Sequence, residues 1–426
     1  GSCKICRMKG RLGGWQKLKI LMVNKFLFPN GGSETYMFEV GKQLQKKGHE
    51  VQYFGMEHGN RVVGNRVNSY TPNMDFHTGK WNKIFYPFRI IYSRPARKKL
   101  SSVLNDFAPD VIHLNNFNFQ LTPSIIYEII KYGKKAGKRI KILYTAHDTQ
   151  LVCPNHLMRI PSTGKLCQQC MRRGYLECVK NACIHGSKAK SFLAAVEAVL
   201  YKRLKVYQWI DCVICPSYFM EQQLLHRKEF QGKTKVLHNF IPEGHLGAMG
   251  IRQKGAGWEK EGYVLYFGRF SEEKGIGTLL KVCRELPRIP FVFAGGGPLE
   301  GEVNETGNVK NAGFQEGEEL AKLIREAKFS VIPSECYENC PFSVMESIAL
   351  GTPVIGSRIG GIPELIEEGR TGDLFCAGDA EELKNKVESL WNEPERLQAY
   401  AEECCKKGFD TVGSYCEKLL EVIGRL

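Results

Sequence analysis

Short apolar runs alternate with longer amphipathic stretches along most of the chain. Six runs fall in the first half, at residues 19–23, 49–54, 110–114, 141–147, 211–215 and 235–239. The stretches between most of them carry apolar residues at helical spacing, as in SETYMFEVGKQLQKKG. Short apolar strands that alternate with helices are typical of a parallel sheet covered on both faces.

A glycine-rich stretch at residues 243–262 breaks this alternation, as a linker would. Six further apolar runs follow it, at residues 263–268, 291–295, 309–314, 329–334, 352–357 and 372–375. The pattern predicts two doubly wound α/β domains that face each other across a cleft, since parallel sheets bind ligands at the carboxyl ends of their strands. The predicted segments are a tail at 1–17, domains at 18–242 and 263–408, and a C-terminal helix at 409–426 that packs back on the first domain.

Charge is distributed unevenly along the 426 residues, whose formal net charge is +15. Residues 1–250 hold 39 lysine and arginine against 15 aspartate and glutamate residues, whereas the rest hold 21 against 30. A basic first half favours contact with polyanions such as nucleic acid, anionic lipid or a phosphate-bearing substrate. The densest basic segments are residues 94–99 and 131–141.

No apolar run reaches the length of a membrane span, and no signal-peptide pattern is visible. We therefore expect a cytoplasmic protein that can bind peripherally to the inner face of the plasma membrane through its basic first domain. The aromatic run at residues 81–92 could add an apolar contact to that surface, or could equally form a core helix.

Glycines and cations follow the first predicted strand of each domain. Gly31 and Gly32 allow a tight turn, and Ser33 can cap the next helix, whose free N–H groups would bind an anion. In the second domain Gly268 lets the chain turn, and Arg269 and Lys274 lie five residues apart ahead of a helix. Two cations in such a loop predict a diphosphate clamp.

Two glutamates mark the predicted helix in ECYENCPFSVMES, residues 335–347. Pro341 suits a first helical position, and Gly351 with Pro353 would end the helix. Glu346 lies inside this apolar helix and Glu338 lies just before it. Carboxylates at such positions call for a functional explanation.

Three motifs in the second half occur in an order that resembles a known family. They are G-R-x4-K-G at residues 268–275, E-x7-E at Glu338 and Glu346, and GTPVIGSRIGGIPELIEEGRTGDLF at residues 351–375. Together with NGGSE and TAHDTQ in the first half, they resemble the retaining glycosyltransferases of family 4 (GT4), which have the GT-B fold. The resemblance extends from about residue 18 onward.

The resemblance implies a retaining transfer from a UDP- or GDP-sugar to a glycan or polyprenyl-linked acceptor in cell-surface polysaccharide biosynthesis. It implies no catalytic divalent metal and no nucleic-acid partner. Same-face attack is the mechanism usually proposed, in which the leaving phosphate takes the proton of the acceptor. The alternatives are a GT-B nucleotide-sugar epimerase and a non-catalytic basic binding or scaffold protein.

Residue roles follow from the same resemblance. Arg269 and Lys274 would hold the leaving diphosphate, and Glu346 the ribose hydroxyls. Glu338 and His147 would contact the transferred sugar. The remaining donor contacts would come from Gly31, Gly32, Gly268, Phe314 beside the base, and the backbone of Asn339, Cys340 and Phe342.

Five cysteines lie within residues 153–183, and two of them form a CxxC pair. A subset of GT4-like sequences carries a similar cysteine insertion. Four thiolates could bind a structural Zn²⁺, and without an export signal metal is favoured over disulfides. The alternative is a loop with free cysteines. The predicted ligands are Cys153, Cys167, Cys170 and Cys183, with Cys178 as the alternate and His156 or His185 as weaker substitutes.

Overall fold

The computed structural model describes residues 16–72, 91–242 and 262–426. The predicted tail and linker, and most of the aromatic run at 81–92, lie outside the described residues. The chain divides into two compact units: Gly1–Leu237 with Gly413–Leu426, and His238–Val412.

The first unit contains a six-stranded parallel sheet in the order β2-β1-β3-β4-β5-β6. Its strands are β1 (Lys19–Val23), β2 (Glu50–Phe54), β3 (Val111–Leu114), β4 (Lys141–Thr145), β5 (Cys212–Cys215) and β6 (Thr234–Val236). Each strand coincides with or overlaps one of the six apolar runs. Residues on the first five strands are almost all buried, as expected for a sheet covered on both faces.

Seven helices of the first unit precede the second unit in the described sequence. They are α1 (Gly32–Lys46), α2 (Arg94–Phe107), α3 (Ser124–Lys135), α4 (Gln169–Arg173), α5 (Leu176–Lys180), α6 (Lys188–Arg203) and α7 (Tyr218–Leu225). Helix α2 shows why such segments are helical: the Ser93 hydroxyl accepts the Ala96 N–H at its start, and Leu100, Val103 and Phe107 form a buried stripe at helical spacing.

The second unit repeats this architecture with a parallel sheet in the order β12-β11-β10-β7-β8-β9. Its strands are β7 (Val264–Arg269), β8 (Phe291–Gly296), β9 (Val309–Gly313), β10 (Phe329–Ile332), β11 (Val354–Ser357) and β12 (Gly372–Phe375). The prediction of two doubly wound α/β domains is therefore confirmed. In this order β10 lies beside β7, so the loops that follow these two strands leave the sheet at adjacent positions.

Helices cover the second sheet in the same way. They are α8 (Ile276–Glu285), α9 (Glu300–Asn304), α10 (Gly317–Glu326), α11 (Phe342–Ala349), α12 (Ile362–Leu365), α13 (Ala380–Asn392) and α14 (Pro394–Lys406). Across the three described ranges, none of the helices is both long and apolar enough to cross a bilayer.

The last helix, α15 (Val412–Arg425), packs with the first unit rather than with the segment before it. The Tyr415 hydroxyl lies 2.8 Å from the Tyr36 hydroxyl on α1. The Lys141 ammonium on β4 donates to the Ile423 carbonyl over 2.7 Å. Buried side chains at the end of the chain thereby become part of the first unit's core.

Candidate active site

The loops after β7 and β10 bring two of the predicted residues into contact. Lys274 ends a short 3-10 turn after β7, and its Nζ lies 2.5 Å from Oε1 of Glu338, in the loop after β10. The Ser334 hydroxyl donates to the same carboxylate oxygen over 2.8 Å. Burial lowers the pKa of Lys274, but the Glu338 carboxylate, together with Cys336 and Glu273, more than offsets this effect and leaves the pKa above its ordinary value. The site therefore holds a fixed cation.

Two glycines allow these loops to approach so closely. Gly275 has φ 74°, and a Cβ there would lie 1.9 Å from the Pro333 carbonyl oxygen at the end of β10. Gly360 has φ 59°, and a Cβ there would lie 2.2 Å from the Glu338 carbonyl oxygen. The Gly361 N–H donates to that carbonyl over 2.8 Å. Backbone contact with two neighbouring loops thus fixes the position of Glu338.

Arg269 is the last residue of β7, and its side chain is exposed. Its carbonyl accepts the Tyr266 hydroxyl over 2.8 Å, which anchors the backbone while the guanidinium stays accessible. Gly268 precedes it with φ 144°, in a region that favours glycine. An anchored backbone with a free guanidinium suits a group that binds an anionic ligand.

Helix α11 begins at Phe342, so Pro341 occupies the N-cap position and not the first helical position. Two hydrogen bonds from Asn239 hold the loop before this helix at Cys340. Asn239 Nδ2 donates to the Cys340 carbonyl over 2.8 Å, and the Asn239 backbone N–H donates to the Cys340 sulfur. Asn339 lies partly buried between this anchor and Glu338. The first-turn N–H groups of α11 create a positive potential at this end of the helix.

Glu346 lies in the middle of α11 with only 7% of its surface exposed. Burial raises the pKa of its carboxyl group to about 7. The carboxyl group can therefore gain or lose a proton near neutral pH, which is unusual for a glutamate.

Two other residues of the second unit, Phe314 and Glu335, take no part in the contact between Lys274 and Glu338. Phe314 follows the edge strand β9, two strands away from β7, and is 78% exposed. Glu335 is partly buried and hydrogen-bonded. The Thr278 hydroxyl donates to its carboxylate over 2.5 Å, and its backbone N–H donates to the Glu273 carbonyl, so Glu335 joins the β7 and β10 loops.

In the first unit the glycine turn after β1 forms, but its helix starts earlier than expected. Gly31 is the N-cap in an extended conformation, and α1 begins at Gly32. Ser33 therefore lies in the first turn and does not cap the helix, because the chain has already turned at Gly31. Both glycines are exposed at this end of the sheet.

Residues that sequence reasoning missed lie beside this turn. Asn24, directly after β1, donates to the Glu34 carboxylate over 2.8 Å and accepts the Asn116 N–H over 2.9 Å. Asn116 Nδ2 also donates to the Ser33 hydroxyl. Burial raises the pKa of Glu34 above its ordinary value. The sequence signal that could have identified these asparagines is their position, because Asn24 and Asn115–Asn116 directly follow apolar strands.

His147 lies two residues beyond the end of β4 and is half-buried. Its Nε2 lies 2.9 Å from Asn115 Oδ1. Burial, with a smaller contribution from His113, lowers the pKa of His147 to about 3, so the ring is neutral at physiological pH. The neighbouring Asp148 carboxylate accepts the Gln150 N–H over 2.9 Å. The His147 ring and the Asp148 carboxylate thus have separate hydrogen-bond partners.

The four cysteines predicted to bind metal line one small cavity in the first unit. The Cys153 thiol contacts Cys170, and the predicted alternate, Cys178, contacts Cys183 instead of lining the cavity. Among the described residues, no three Cys, His, Asp or Glu side chains are placed so that they could hold a metal ion. The weaker substitutes, His156 and His185, are exposed.

Two doubly wound α/β units, with a contact between a cation and a carboxylate at the strand ends of one of them, have the architecture of the GT-B class. The chain belongs to glycosyltransferase family 4: the family profile described as "Glycosyltransferase Family 4" matches residues 30–244, just over half of the chain. A second profile, "Glycosyl transferases group 1", matches residues 250–406.

Individual relatives agree with this assignment. The sulfoquinovosyl transferase SQD2 of Arabidopsis thaliana is 32% identical over 163 residues, which cover 37% of this chain and 32% of that protein. The chain thus matches about a third of that relative's length. The N-acetyl-alpha-D-glucosaminyl L-malate synthase of Bacillus anthracis is 24% identical over 384 residues, 86% of each chain.

A solved structure shares the whole fold. The Anabaena protein Alr3699/HepE, determined in complex with UDP-glucose, aligns with 96% of this chain and 100% of its own length at a TM-score of 0.64. Its sequence identity is 17%, so this likeness concerns the fold.

Replacing Glu346 by glutamine should change the stability in a pH-dependent way. Because the folded-state pKa is raised, the stabilising contribution of the bound proton is present below the unfolded pKa near 4.5 and is lost as pH rises through about 7. Glu346→Gln has no such loss, so its advantage over the wild type should grow by about 3 kcal/mol between acid and alkaline pH. Thermal melts of the wild type and of Glu346→Gln at pH 5 and pH 8.5 measure this difference in stability.

The exposed substitution Glu302→Gln in the same unit is the matched control and should shift both melts equally. A difference between Glu346→Gln and the wild type that stays the same at both pH values would contradict the assigned burial effect.

Proposed function

We propose that the protein transfers a sugar from a nucleotide-diphosphate sugar to a glycan or lipid-linked acceptor. The observation that carries this proposal is the contact of Lys274 with Glu338, beside the accessible guanidinium of Arg269. Membership of family 4 supports the reaction class. The Anabaena protein that shares this fold was solved in complex with UDP-glucose, which supports UDP-glucose as the first donor to test.

Donor binding would use the second unit. The diphosphate would lie between Arg269 and Lys274, with the N-terminus of α11 adding positive potential. The ribose hydroxyls would donate to the Glu346 carboxylate, since a carboxylate accepts two O–H bonds from a vicinal diol. Phe314 would lie beside the base, for which its high exposure leaves room. The backbone of Cys340 would border the sugar and phosphate.

The chemical step would depend on electrostatic stabilisation. As the glycosidic bond breaks, negative charge would develop on the diphosphate, and the cations of Arg269 and Lys274 would stabilise it without a divalent metal. The phosphate would replace part of the interaction between Lys274 and Glu338. The Glu338 carboxylate would then accept a hydrogen bond from a hydroxyl group of the transferred sugar. Because this carboxylate is engaged by Lys274 and Ser334, we assign it a positioning role. We propose same-face attack with retention: the acceptor oxygen bonds to the anomeric carbon as its bond to the diphosphate breaks, and the departing diphosphate takes the acceptor proton.

Acceptor binding would use the basic first unit. Helices α2 and α3 pack side by side, and Arg94, Arg97, Lys98 and Lys131 line the groove between them. Arg97 is neutralised by Glu128, with 2.8 Å between Nη2 and Oε2. Lys131 also lies 3.7 Å from Glu128 Oε1, but its side chain stays exposed. Together with Arg94 and Lys98, it would attract an anionic membrane or a diphosphate-linked acceptor.

Part of the second basic segment is occupied by internal contacts. Lys138 pairs with Asp110 over 2.7 Å, Arg139 pairs with Asp211 over 3.1 Å, and Lys141 donates to a carbonyl of α15. These three residues therefore make intramolecular contacts that stabilise the fold. Arg139 is exposed despite its ion pair. The other exposed basic side chains of the two segments are Arg94, Lys98, Lys99, Lys131, Lys134 and Lys135.

We further propose that Cys153, Cys167, Cys170 and Cys183 hold a structural Zn²⁺. The thiols line one cavity, and backbone N–H groups direct hydrogen bonds at two of the sulfurs. Asn155 and Met158 donate to Cys153, and Gln169 donates to Cys167. Such donors favour the thiolate form that binds metal, although burial leaves the pKa of the Cys167 thiol above its ordinary value. Binding would require the four sulfurs to move closer together.

Arg269→Ala and Lys274→Ala should each reduce transfer about 10²- to 10³-fold, because each removes a preorganised charge that stabilises the transition state. Transfer from UDP-glucose and a panel of other sugar nucleotides would be measured by release of the nucleoside diphosphate. The control Arg284→Ala removes an exposed cation of α8 and should leave the rate unchanged. Wild-type rates in both clamp variants would refute the clamp.

Freshly purified, reduced protein should contain about one Zn²⁺ per chain by elemental analysis. Cys153→Ser and Cys167→Ser should lose the metal, whereas the exposed control Cys376→Ser should keep it. Protein without zinc would contradict the proposal. Loss of zinc in Cys178→Ser with retention in Cys153→Ser would contradict the chosen ligand set.

The protein should sediment with anionic vesicles but not with neutral ones, and salt should release it because the charges are exposed. The double variant Lys98→Glu/Lys131→Glu should lose this binding. The control Lys281→Glu/Lys310→Glu makes the same charge change on exposed residues of the second unit and should keep it. Equal binding to both vesicle types would refute the membrane proposal.

A further inference from the structure

The environment of His147 defines which of its ring nitrogens carries the proton. Strands β3 and β4 are neighbours in the first sheet, so Asn115 and His147, which follow them, lie at the same sheet edge. His147 Nε2 lies 2.9 Å from Asn115 Oδ1. This contact alone is compatible with either end of the asparagine amide, so the partners of the other end decide the assignment.

The other end of the Asn115 amide faces two carbonyl groups. Its nitrogen lies 3.3 Å from the His113 carbonyl oxygen and 3.5 Å from the Val23 carbonyl oxygen. Carbonyl oxygens only accept hydrogen bonds, so the amide nitrogen must point toward them and the amide oxygen toward His147. An amide oxygen also only accepts, and His147 Nε2 must therefore donate.

A second group holds the ring from another direction. Tyr36 on α1 contacts His147 edge to face, with 4.8 Å between ring centroids. The Tyr36 hydroxyl is fixed by the Tyr415 hydroxyl at 2.8 Å and by the Thr145 hydroxyl at 3.2 Å. Thr145 in turn lies 2.7 Å from His113 Nε2. Side chains from α1, β3, β4 and α15 thus restrict the rotation of His147.

The titratable groups that face His147 are uncharged. His113 on β3 has a pKa lowered by burial to about 4, and burial raises the pKa of Tyr36 far above neutrality. Tyr415 of α15 lies beyond Tyr36. None of these groups carries a negative charge that could stabilise an imidazolium, so His147 stays neutral. Its Nε2–H group donates its hydrogen bond to Asn115 Oδ1.

We propose that Asn115 is a positioning residue that holds His147 in its Nε2-protonated form, so that Nδ1 accepts a hydrogen bond from a hydroxyl group of the bound ligand. The identity of that ligand as a sugar rests on the proposed function, whereas the tautomer does not. The site would then select a hydroxyl donor and discriminate against a ligand whose corresponding hydroxyl is absent or methylated. An acceptor that ligand binding removes from water without supplying a donor loses its hydrogen bond to water and gains none in return.

The tautomer can be measured by ¹⁵N NMR of the full chain at neutral pH, with His147→Gln to assign the signals. The wild type should show a protonated Nε2 and an unprotonated Nδ1, with no titration down to pH 5. Asn115→Asp should place a carboxylate beside the ring and move the His147 titration into the neutral range. A wild-type ring protonated at Nδ1, or an unchanged titration in Asn115→Asp, would overturn the proposal.

Transfer activity gives a second readout that a merely structural role would not change. In Asn115→Asp the rate should fall about tenfold per pH unit below the new pKa, since the imidazolium has no acceptor at Nδ1. The control Asn385→Asp makes the same change at an exposed position of α13 and should keep the wild-type profile. A wild-type profile in Asn115→Asp would contradict the positioning role.

The two proposals fail in different ways. If the wild type transferred no sugar from any donor, the proposed function would be wrong, but the NMR titration would still decide the role of Asn115. If transfer occurred and the ring were protonated at Nδ1, the function would stand and the positioning proposal would fall.

Discussion

The close backbone approach at Gly275 is the constraint on which the second unit's site depends. Since β10 lies beside β7, the loops after these strands can meet only if the β7 loop lies against Pro333 without a side chain between them. That approach brings Lys274 to Glu338 and leaves Arg269 at the strand end. A methyl group at Gly275 would separate the loops and with them the groups proposed to bind the donor.

Local environment then gives chemically similar groups different protonation states. The Glu346 carboxyl group, buried in α11, has a pKa near neutrality, whereas the Glu338 carboxylate is paired with a cation. His147 is kept neutral by burial, whereas Lys274 is held in its charged form by a neighbouring carboxylate. The charges at the two sheet edges are set by packing as much as by residue type.

Position after a strand was the most informative feature of the sequence for the site. The glycine turn after β1, His147 after β4 and the clamp after β7 were all predicted from this rule and from family resemblance. The same rule applied to the asparagines after β1 and β3, but an asparagine after a strand is common and carries no distinctive chemistry by itself. The role of Asn115 emerges only from the carbonyl groups that fix the orientation of its amide.

Hydrophobic alternation by itself located the twelve strands of the described residues and the two doubly wound sheets, because all of these strands except β6 and β9 are buried along most of their length. It could not determine the order of the strands, since periodicity reports that a position is buried and not which strand lies beside it. The pairing of β7 with β10, the contact of Tyr36 with Tyr415 across 379 positions of sequence and the orientation of His147 were decided by tertiary structure. Each depends on hydrogen bonds between residues that only the folded chain brings together.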